Sequence, residues 1–304
     1  MSVRQFADQF RELEDLDFKV LAGLERNISK FQRVPEESIV SSCGLHRDEV
    51  RYRLKRLHRR RLIWMPSREP ARYVLNYLGL DALALRFVVR GNVVEGLGKS
   101  LGVGKESDVY EGISPRDERL ALKFFRIGRP SFTRYARVRG YLVEEHNNLI
   151  ASERAAAREY RALRVLHQAG VDVPKPELRN RHLVVTEVFV GTELAYVVEL
   201  GKPRLVLKKV LSNLAKAYRA GVVHSDMSTH NVLVKPGLDV TLIDWPQWVP
   251  TGHREAPNML RRDVTNLLEF FLRRWGVSEN PERVLSQIAP GEIGDKTLIR
   301  PSPG

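Results

Sequence analysis

The sequence is poor in cysteine: Cys43 stands alone in 304 residues. An internal disulfide and a C-x-x-C metal knuckle are therefore excluded, and Cys43 reads as a small buried residue. No stretch approaches the roughly 20 uncharged apolar residues that span a bilayer. The first residues, Met1-Ser-Val-Arg-Gln-Phe6, are soon followed by acidic residues and hold no apolar core segment, so they do not read as a secretory signal. Both absences lead to the expectation of a cytoplasmic chain without a membrane segment. Acidic residues are also in short supply, 37 against 50 Lys and Arg, which gives a formal charge of +13. Such a balance favours polyanionic partners, because neutralising phosphates is the main source of nucleic-acid affinity. An anionic membrane surface would use the same charge, so the distribution of the basic residues has to decide.

What is present is an ordinary globular composition, 43% hydrophobic and 29% charged, in a chain long enough for two cores of about 100 to 200 residues each. Residues 1 to 88 read as helices followed by a hairpin. Phe18, Leu21, Leu24 and Ile28 recur at helical spacing. Pro35-Glu36-Glu37 starts a second helix and Gly44 stops it. A third helix, from about Arg47 to Leu62, carries Val50, Leu54, Leu57 and Leu62 as an apolar stripe. Its remaining surface is basic: Arg47, Arg51, Arg53, Lys55, Arg56, Arg59, Arg60 and Arg61 face only Asp48 and Glu49. Two strands, around Leu62–Trp64 and Arg72–Leu75, would form a wing. Helix, helix, glycine turn and basic helix is the helix-turn-helix order. A charge run alone is more often a solvated face. The density of cations here favours nucleic-acid contact through phosphates.

From residue 89 the pattern turns to short strands with glycine turns: Phe87–Val89, Leu101, Val109-Tyr110 and Leu120–Phe124. Residues 126 to 148 read as a basic loop, Ser152 to Ala169 as a helix closed by Gly170, and 203 to 220 and 258 to 275 as further helices. The residues from Pro290, rich in glycine and proline, read as a poorly ordered tail.

Three segments carry chemistry. Gly102-Val-Gly104-Lys105-Glu-Ser107-Asp-Val109 has the form G-x-G-x-x-G-x-V with serine for the third glycine. By itself this is a weak signal that a tight hairpin would also give. A rival Walker A reading at Gly98-Lys99-Ser100 fails on spacing, because Val93 stands where glycine is needed. Next comes Ala121-Leu122-Lys123, a strand lysine placed to hold α- and β-phosphates, with Glu159 in the following helix as its carboxylate partner. The strongest signal is His224-Ser225-Asp226-Met-Ser-Thr-His-Asn231, then the apolar strand Val232–Val234, a Pro236-Gly237 turn and Val240–Asp244. This is the His-x-Asp-x4-Asn catalytic-loop pattern, with a hairpin delivering a second aspartate. Two carboxylates and an amide suit Mg2+, a hard cation that binds few carboxylates together with substrate phosphates. Asp226 would be the base or nucleophile-positioning group, Asn231 and Asp244 the metal ligands; His224 and His230 read as structural.

Gly104-Lys-Glu-Ser-Asp-Val-Tyr110, the His-Ser-Asp loop and Ile243-Asp-Trp-Pro-Gln247 resemble the RIO family of atypical protein kinases, and the N-terminal winged helix resembles its second subfamily. The resemblance covers nearly the whole chain up to the tail, with Trp245 where that family usually has phenylalanine. It implies an α+β fold, a winged helix followed by a truncated two-lobed protein-kinase-like domain, with boundaries expected at 1–88, 89–290 and a tail at 291–304. By position it implies phosphate contacts for Lys105, Ser107 and Lys123 beside Gly102, Gly104 and Val109. It further implies a Lys123–Glu159 pair, an adenine-binding hinge at Thr186-Glu187-Val188, a catalytic Asp226, and Asn231 and Asp244 on metal. Its functional implication is a Mg-ATP-dependent serine kinase or ATPase that autophosphorylates and acts on the small ribosomal subunit precursor and its rRNA.

No Ala-Pro-Glu segment is present, and the short stretch from Asp244 to the 258–275 helix leaves little room for an activation loop or a peptide-docking lobe. Two other classes compete with this reading. A winged-helix DNA-binding regulator with a vestigial kinase domain is opposed by the complete Lys, Asp, Asn and Asp positions, and a small-molecule phosphotransferase would leave the basic N-terminal region unexplained.

Overall fold

The computed structural model describes residues 3–68, 70–128 and 141–290. The expected tail at 291–304, and most of the expected basic loop, fall outside the described residues. Within them the chain forms two compact units, Met1–Ala157 with Glu177–Thr186, and Arg158–Pro176 with Glu187–Gly304.

The first unit opens with helices α1 (Val3–Arg11) and α2 (Asp15–Glu25), a short strand β1 (Val34–Pro35), helices α3 (Glu36–Cys43) and α4 (Arg47–Arg59), and the hairpin β2 (Ile63–Arg68) and β3 (Ala71–Leu75). The three strands pair in the order β1-β3-β2, which is a winged helix-turn-helix. Gly44 ends α3 at φ 59°, in the left-handed region where a side chain is costly. The basic helix α4 stops earlier than its apolar stripe suggests. Arg61 takes φ 60°, and the Leu62 N–H donates to the Leu57 carbonyl at 3.0 Å, a terminating geometry reached here without glycine. Phe18, Leu21, Leu24, Ile39, Val50, Leu54, Leu57 and Ile63 fill the core.

Helix α5 (Tyr77–Arg90) follows, and it corrects the strand expected at Phe87–Val89. Asn76 caps it by accepting from the Gly79 N–H. Leu80, Ala82 and Leu83 complete the winged-helix core, while Ala84, Leu85 and Val88 enter a second core with Leu120, Leu122, Phe124, Leu183 and Val185. That second core belongs to a five-stranded sheet of β4 (Gly96–Val103), β5 (Ser107–Ile113), β6 (Arg119–Phe125), β7 (Pro176–Asn180) and β8 (Leu183–Glu187), in the order β4-β5-β6-β8-β7. Between β6 and β7 in sequence runs α6 (Tyr141–Gln168), closed by Gly170 at φ 70° as expected but starting well before Ser152.

The second unit takes up the chain again after the hinge. It contains β9 (Thr192–Glu193), α7 (Pro203–Arg219), β10 (Val222–Val223), β11 (Val232–Val234), β12 (Val240–Leu242), β13 (Val249–Pro250), α8 (Ala256–Trp275) and α9 (Pro281–Ile288). Strands β11 and β12 form the expected hairpin. β10 pairs with β13, so the segment after Asp244 turns straight back beside the start of the catalytic loop. The whole is an α+β fold, a winged helix followed by a kinase-like domain.

A close backbone approach in the first unit gives a direct check on this packing. A methyl group at Gly79 would collide with the Leu62 carbonyl oxygen and meet Leu75 Cδ1 at 2.7 Å. Gly79→Ala should therefore destabilise the chain by about 1–3 kcal/mol despite the better helix propensity of alanine. A thermal melt with an unchanged or raised midpoint would contradict the packing of α5 against the wing.

Candidate active site

Each expected site residue lies on one of two frameworks. In the first unit, the turn between β4 and β5 is closed by the Gly104 N–H donating to the Ser107 carbonyl at 2.8 Å. Gly102, Gly104 and Lys105 are exposed on it. Gly102 pairs with Val109 across β4 and β5, and Val109 pairs with Lys123 across β5 and β6. One cross-strand row thus places the glycine, the valine and the strand lysine side by side, and directly opposed residues project to the same face of a sheet.

The second unit carries the rest. The Asn231 side chain donates to the Asp226 carbonyl at 2.9 Å, and the Ile243 N–H donates to the Asn231 carbonyl at 3.0 Å. Asp226, Asn231 and the residue before Asp244 are thereby tied together. Ser225 and Asp244 both sit at φ 66°, a conformation that costs a non-glycine residue about 1–3 kcal/mol and persists only where its surroundings fix it. At Ser225 the fixing is visible: its N–H donates to Asp263 Oδ2 at 2.8 Å and its hydroxyl to the Gln247 carbonyl at 2.7 Å. His224 is structural, as expected, with Nε2 at 3.1 Å from the Ile243 carbonyl. Trp245 is fully buried with its ring 4.3 Å from His224, and its indole N–H donates to the Leu242 carbonyl. Glu159 is buried on α6, and the Glu187 N–H donates to the Lys175 carbonyl at 2.9 Å at the hinge.

Asp263, on α8, is a site residue that sequence reasoning missed. Its oxygens accept from the Ser225 and Met227 backbone N–H groups at 2.8 and 3.1 Å, which holds both sides of Asp226. A single aspartate beside Arg261 and Arg262 in an amphipathic helix, 37 residues after Asp226, leaves no local signal. Burial pushes its carboxyl up to about 6, against the two backbone donors and Arg262, while the Asp226 charge adds to the rise.

The nucleic-acid face needs a correction. The expectation of a uniformly free cationic surface on α4 does not hold. Arg53 pairs with Glu14, Glu49 and the fully buried Asp17, Arg56 with Glu14 and Asp17, Arg60 with Glu12, and Arg51 with Glu36. Arg53 and Arg56 are bolts between α4 and the start of α2, and breaking a pair of this buried kind costs about 3–5 kcal/mol. The outward face is made instead by Arg47, Lys55, Arg59 and Arg61, with Tyr52 at 58% exposure among them.

Fold and site together define a kinase-like domain carrying a winged helix. A family model described as the RIO domain matches residues 108–284, and one described as Rio2, N-terminal, matches residues 10–90. The chain is 34% identical over 258 residues to the RIO-type serine/threonine-protein kinase Rio2 of Methanocaldococcus jannaschii, covering 83% of this chain and 94% of that one. It is 33% identical over 267 residues to serine/threonine-protein kinase rio2 of Dictyostelium discoideum, covering 87% of this chain but 51% of that protein, so it spans about half the length of that relative. Among solved structures, the Rio2 kinase from Chaetomium thermophilum matches with a TM-score of 0.80 at 25% identity, covering 93% of this chain and 89% of that one. The ADP/Mg2+-phosphoaspartate complex of that kinase matches with a TM-score of 0.81 at 24% identity and the same coverage. The chain belongs to the RIO family of atypical protein kinases, in its Rio2 subfamily.

The Asp263 carboxylate generates a prediction of definite sign. A folded-state value near 6, above the ordinary 3.9 of an unfolded aspartate, means that the native state binds the extra proton. Stability from this group is thus present below about pH 4 and lost as pH rises to about 6, on the order of 2 kcal/mol. Asp263→Asn should remove that fall in melts taken between pH 4 and 6. Because the amide puts an NH2 donor where one of the two accepting oxygens stood, facing a backbone N–H, it should also lower kcat at pH 7.5 at least tenfold. An unchanged kcat would show that the loop holds its shape without Asp263.

Proposed function

We propose that the chain is a Mg-ATP-dependent enzyme of the serine/threonine-protein kinase class, an autophosphorylating kinase and ATPase that acts in maturation of the small ribosomal subunit precursor in the cytoplasm. In this reading residues 1–88 are the winged-helix nucleic-acid-binding domain and 89–290 the catalytic domain. The observation that supports it is the tie from Asn231 to Asp226 and Ile243, which holds Asp226, Asn231 and the residue before Asp244 together. The named kinase activity of the relatives supports it.

Gly102, Gly104, Lys105, Ser107 and Val109 line the phosphate turn, Lys123 takes the α- and β-phosphates with Glu159 as its partner, and Glu187 and Val188 take the adenine edge. Asn231 and Asp244 offer one amide and one carboxylate oxygen donor, a set that fits Mg2+, and among the described residues no group of three or more His, Cys, Asp or Glu forms a metal cage. When bound, Mg2+ would neutralise charge on the β- and γ-phosphates.

The protein's own residues set the fate of the γ-phosphate. β13 pairs straight back onto β10, which leaves little room for peptide docking, so self or water is favoured as acceptor over a partner protein. An Asp244 carboxylate oxygen attacks the γ-phosphorus, the bond to the β–γ bridging oxygen breaks, and ADP departs with that electron pair. Water then attacks the same phosphorus, Asp226 accepts the water proton, and the carboxylate leaves, releasing inorganic phosphate. The Chaetomium complex with ADP, Mg2+ and phosphoaspartate supports this choice of acceptor. The rival acceptors Ser131 and Thr133 lie outside the described residues.

With labelled ATP, Asp244→Ala should abolish a hydroxylamine-labile phosphoenzyme, whereas Asp226→Ala should keep the label and slow its release. Hydroxylamine-resistant label on Ser131 or Thr133, with none on Asp244, would replace this mechanism with serine autophosphorylation. The RNA contact has a separate test that leaves the Asp17 bolts intact. Lys55→Glu with Arg59→Glu should weaken binding to small-subunit precursor particles and lower the slope of log K against log salt by about 1.4 to 1.8, the share of two phosphate contacts. Unchanged binding would make α4 an ordinary solvated face.

A further inference from the structure

Arg126, directly after β6 and three residues beyond Lys123, is buried with charged groups on two sides. Its guanidinium donates to both oxygens of Asp81 at 2.7 and 2.8 Å, and its Nε donates to Asp108 Oδ2 at 3.2 Å. Its own backbone N–H donates to the Glu106 carbonyl at 2.6 Å. Glu106 and Asp108 flank Ser107, at the end of the phosphate turn, whereas Asp81 belongs to α5, the last helix of the N-terminal region. His182 lies beside the same oxygen, with Nε2 2.7 Å from Asp81 Oδ1 and 3.1 Å from Arg126 Nη1. The rings of Tyr77 and Phe124 lie 5.1 and 5.5 Å from the guanidinium carbon and shut out water.

The electrostatics agree with a charged, locked cluster. Burial alone would push the Asp81 carboxyl up, but Arg126 and His182 outweigh it and hold it below the ordinary aspartate range. Burial holds His182 below its usual value, with the neighbouring Asp81 acting in the opposite direction. A second tie runs alongside. The Tyr77 hydroxyl lies 2.9 Å from the Ile127 carbonyl and 2.7 Å from Ser152 Oγ, and that serine oxygen accepts from the Ile127 N–H. The residues after β6 are therefore held at two successive positions by the N-terminal helix.

We infer that Arg126 and Asp81 are positioning residues for ATP, with α5 of the N-terminal region setting the conformation of the phosphate-binding turn through the Asp81–Arg126–Asp108 chain. The two glycines of the turn are exposed, so its shape is sensitive to what holds its ends. A guanidinium fork suits this task because it meets a bidentate carboxylate on one edge while a third N–H reaches a separate acceptor. The inference rests on the kinase reading of the turn and adds a residue set that touches neither nucleotide nor metal.

The test is nucleotide affinity in the full-length protein, measured by calorimetry with Mg-ADP and by the KM for ATP. Asp108→Asn is the cleanest variant, since it keeps the bidentate Asp81–Arg126 pair and removes only the charged tie to the turn. It should raise the Kd for Mg-ADP and the KM for ATP at least fivefold, with kcat at saturating ATP within about threefold. Asp81→Asn should shift both constants in the same direction, and Asp81→Glu should recover part of the loss. A drop in thermal midpoint with Kd and KM unchanged well below the melt would make the cluster purely structural and overturn the inference. Lys123→Ala in parallel separates this from the parent reading. Loss of nucleotide binding there, with none in Asp108→Asn, sinks the inference alone, whereas full binding in Lys123→Ala sinks the kinase assignment of the turn.

Discussion

A guanidinium taken out of water costs several kcal/mol unless its hydrogens all find charged or polar partners. Arg126 meets that demand with two aspartates from different parts of the chain, Asp81 on α5 and Asp108 on β5. Both aspartates are buried and both bond this one guanidinium, which ties their two segments together. It joins the winged-helix region to the nucleotide sheet more specifically than the apolar contacts around it. Those contacts place α5 near the sheet, while the ionic cluster fixes its rotation and register.

The second unit solves a similar problem with a different buried charge. Its catalytic loop must hold Ser225 in the left-handed region and present Asp226 outward, and the backbone there has no regular hydrogen-bond ladder to rely on. Asp263 supplies two acceptors from α8, a long helix packed against α9 and the rest of the unit. In both units, then, a strand end or loop that carries function takes its shape from a buried ionised group on a neighbouring helix. The desolvation such groups suffer is visible in the raised Asp263 carboxyl. For a site that handles a polyphosphate this is a coherent design: the surface loops stay open and their shape is imposed from behind.

The chemistry was far more legible in the sequence than the framework that supports it. Asp226, Asn231, Asp244 and Lys123 stood out in the sequence because phosphoryl transfer calls for such residue types at fixed spacings along short strands and turns. Helices α3, α7 and α8 could be found because each is amphipathic and bounded by proline or glycine. Helix α5 was misread at its end because Phe87-Val88-Val89 is an unbroken apolar run of which Phe87 and Val89 are exposed, so the polar–apolar period that marks a helix is lost there. The first turns of α6 were misread because their polar residues carry no clear period. Arg53, Arg56 and Arg126 looked like surface or loop cations because each has a partner 36 to 45 positions away, and a long-range ion pair has no local signature.

If the Asp81–Arg126 cluster makes the winged-helix region and the nucleotide sheet one cooperative body, native-state hydrogen exchange is the direct measure of it. The amides of α5 around Asp81 and those of β5 and β6 around Asp108 and Lys123 should exchange through one shared opening, with equal free energies and equal denaturant dependence. Asp81→Asn should lower both sets together. Exchange of the α5 amides through a separate, lower-energy opening that leaves the β5 and β6 amides protected would show two independent bodies and contradict the account.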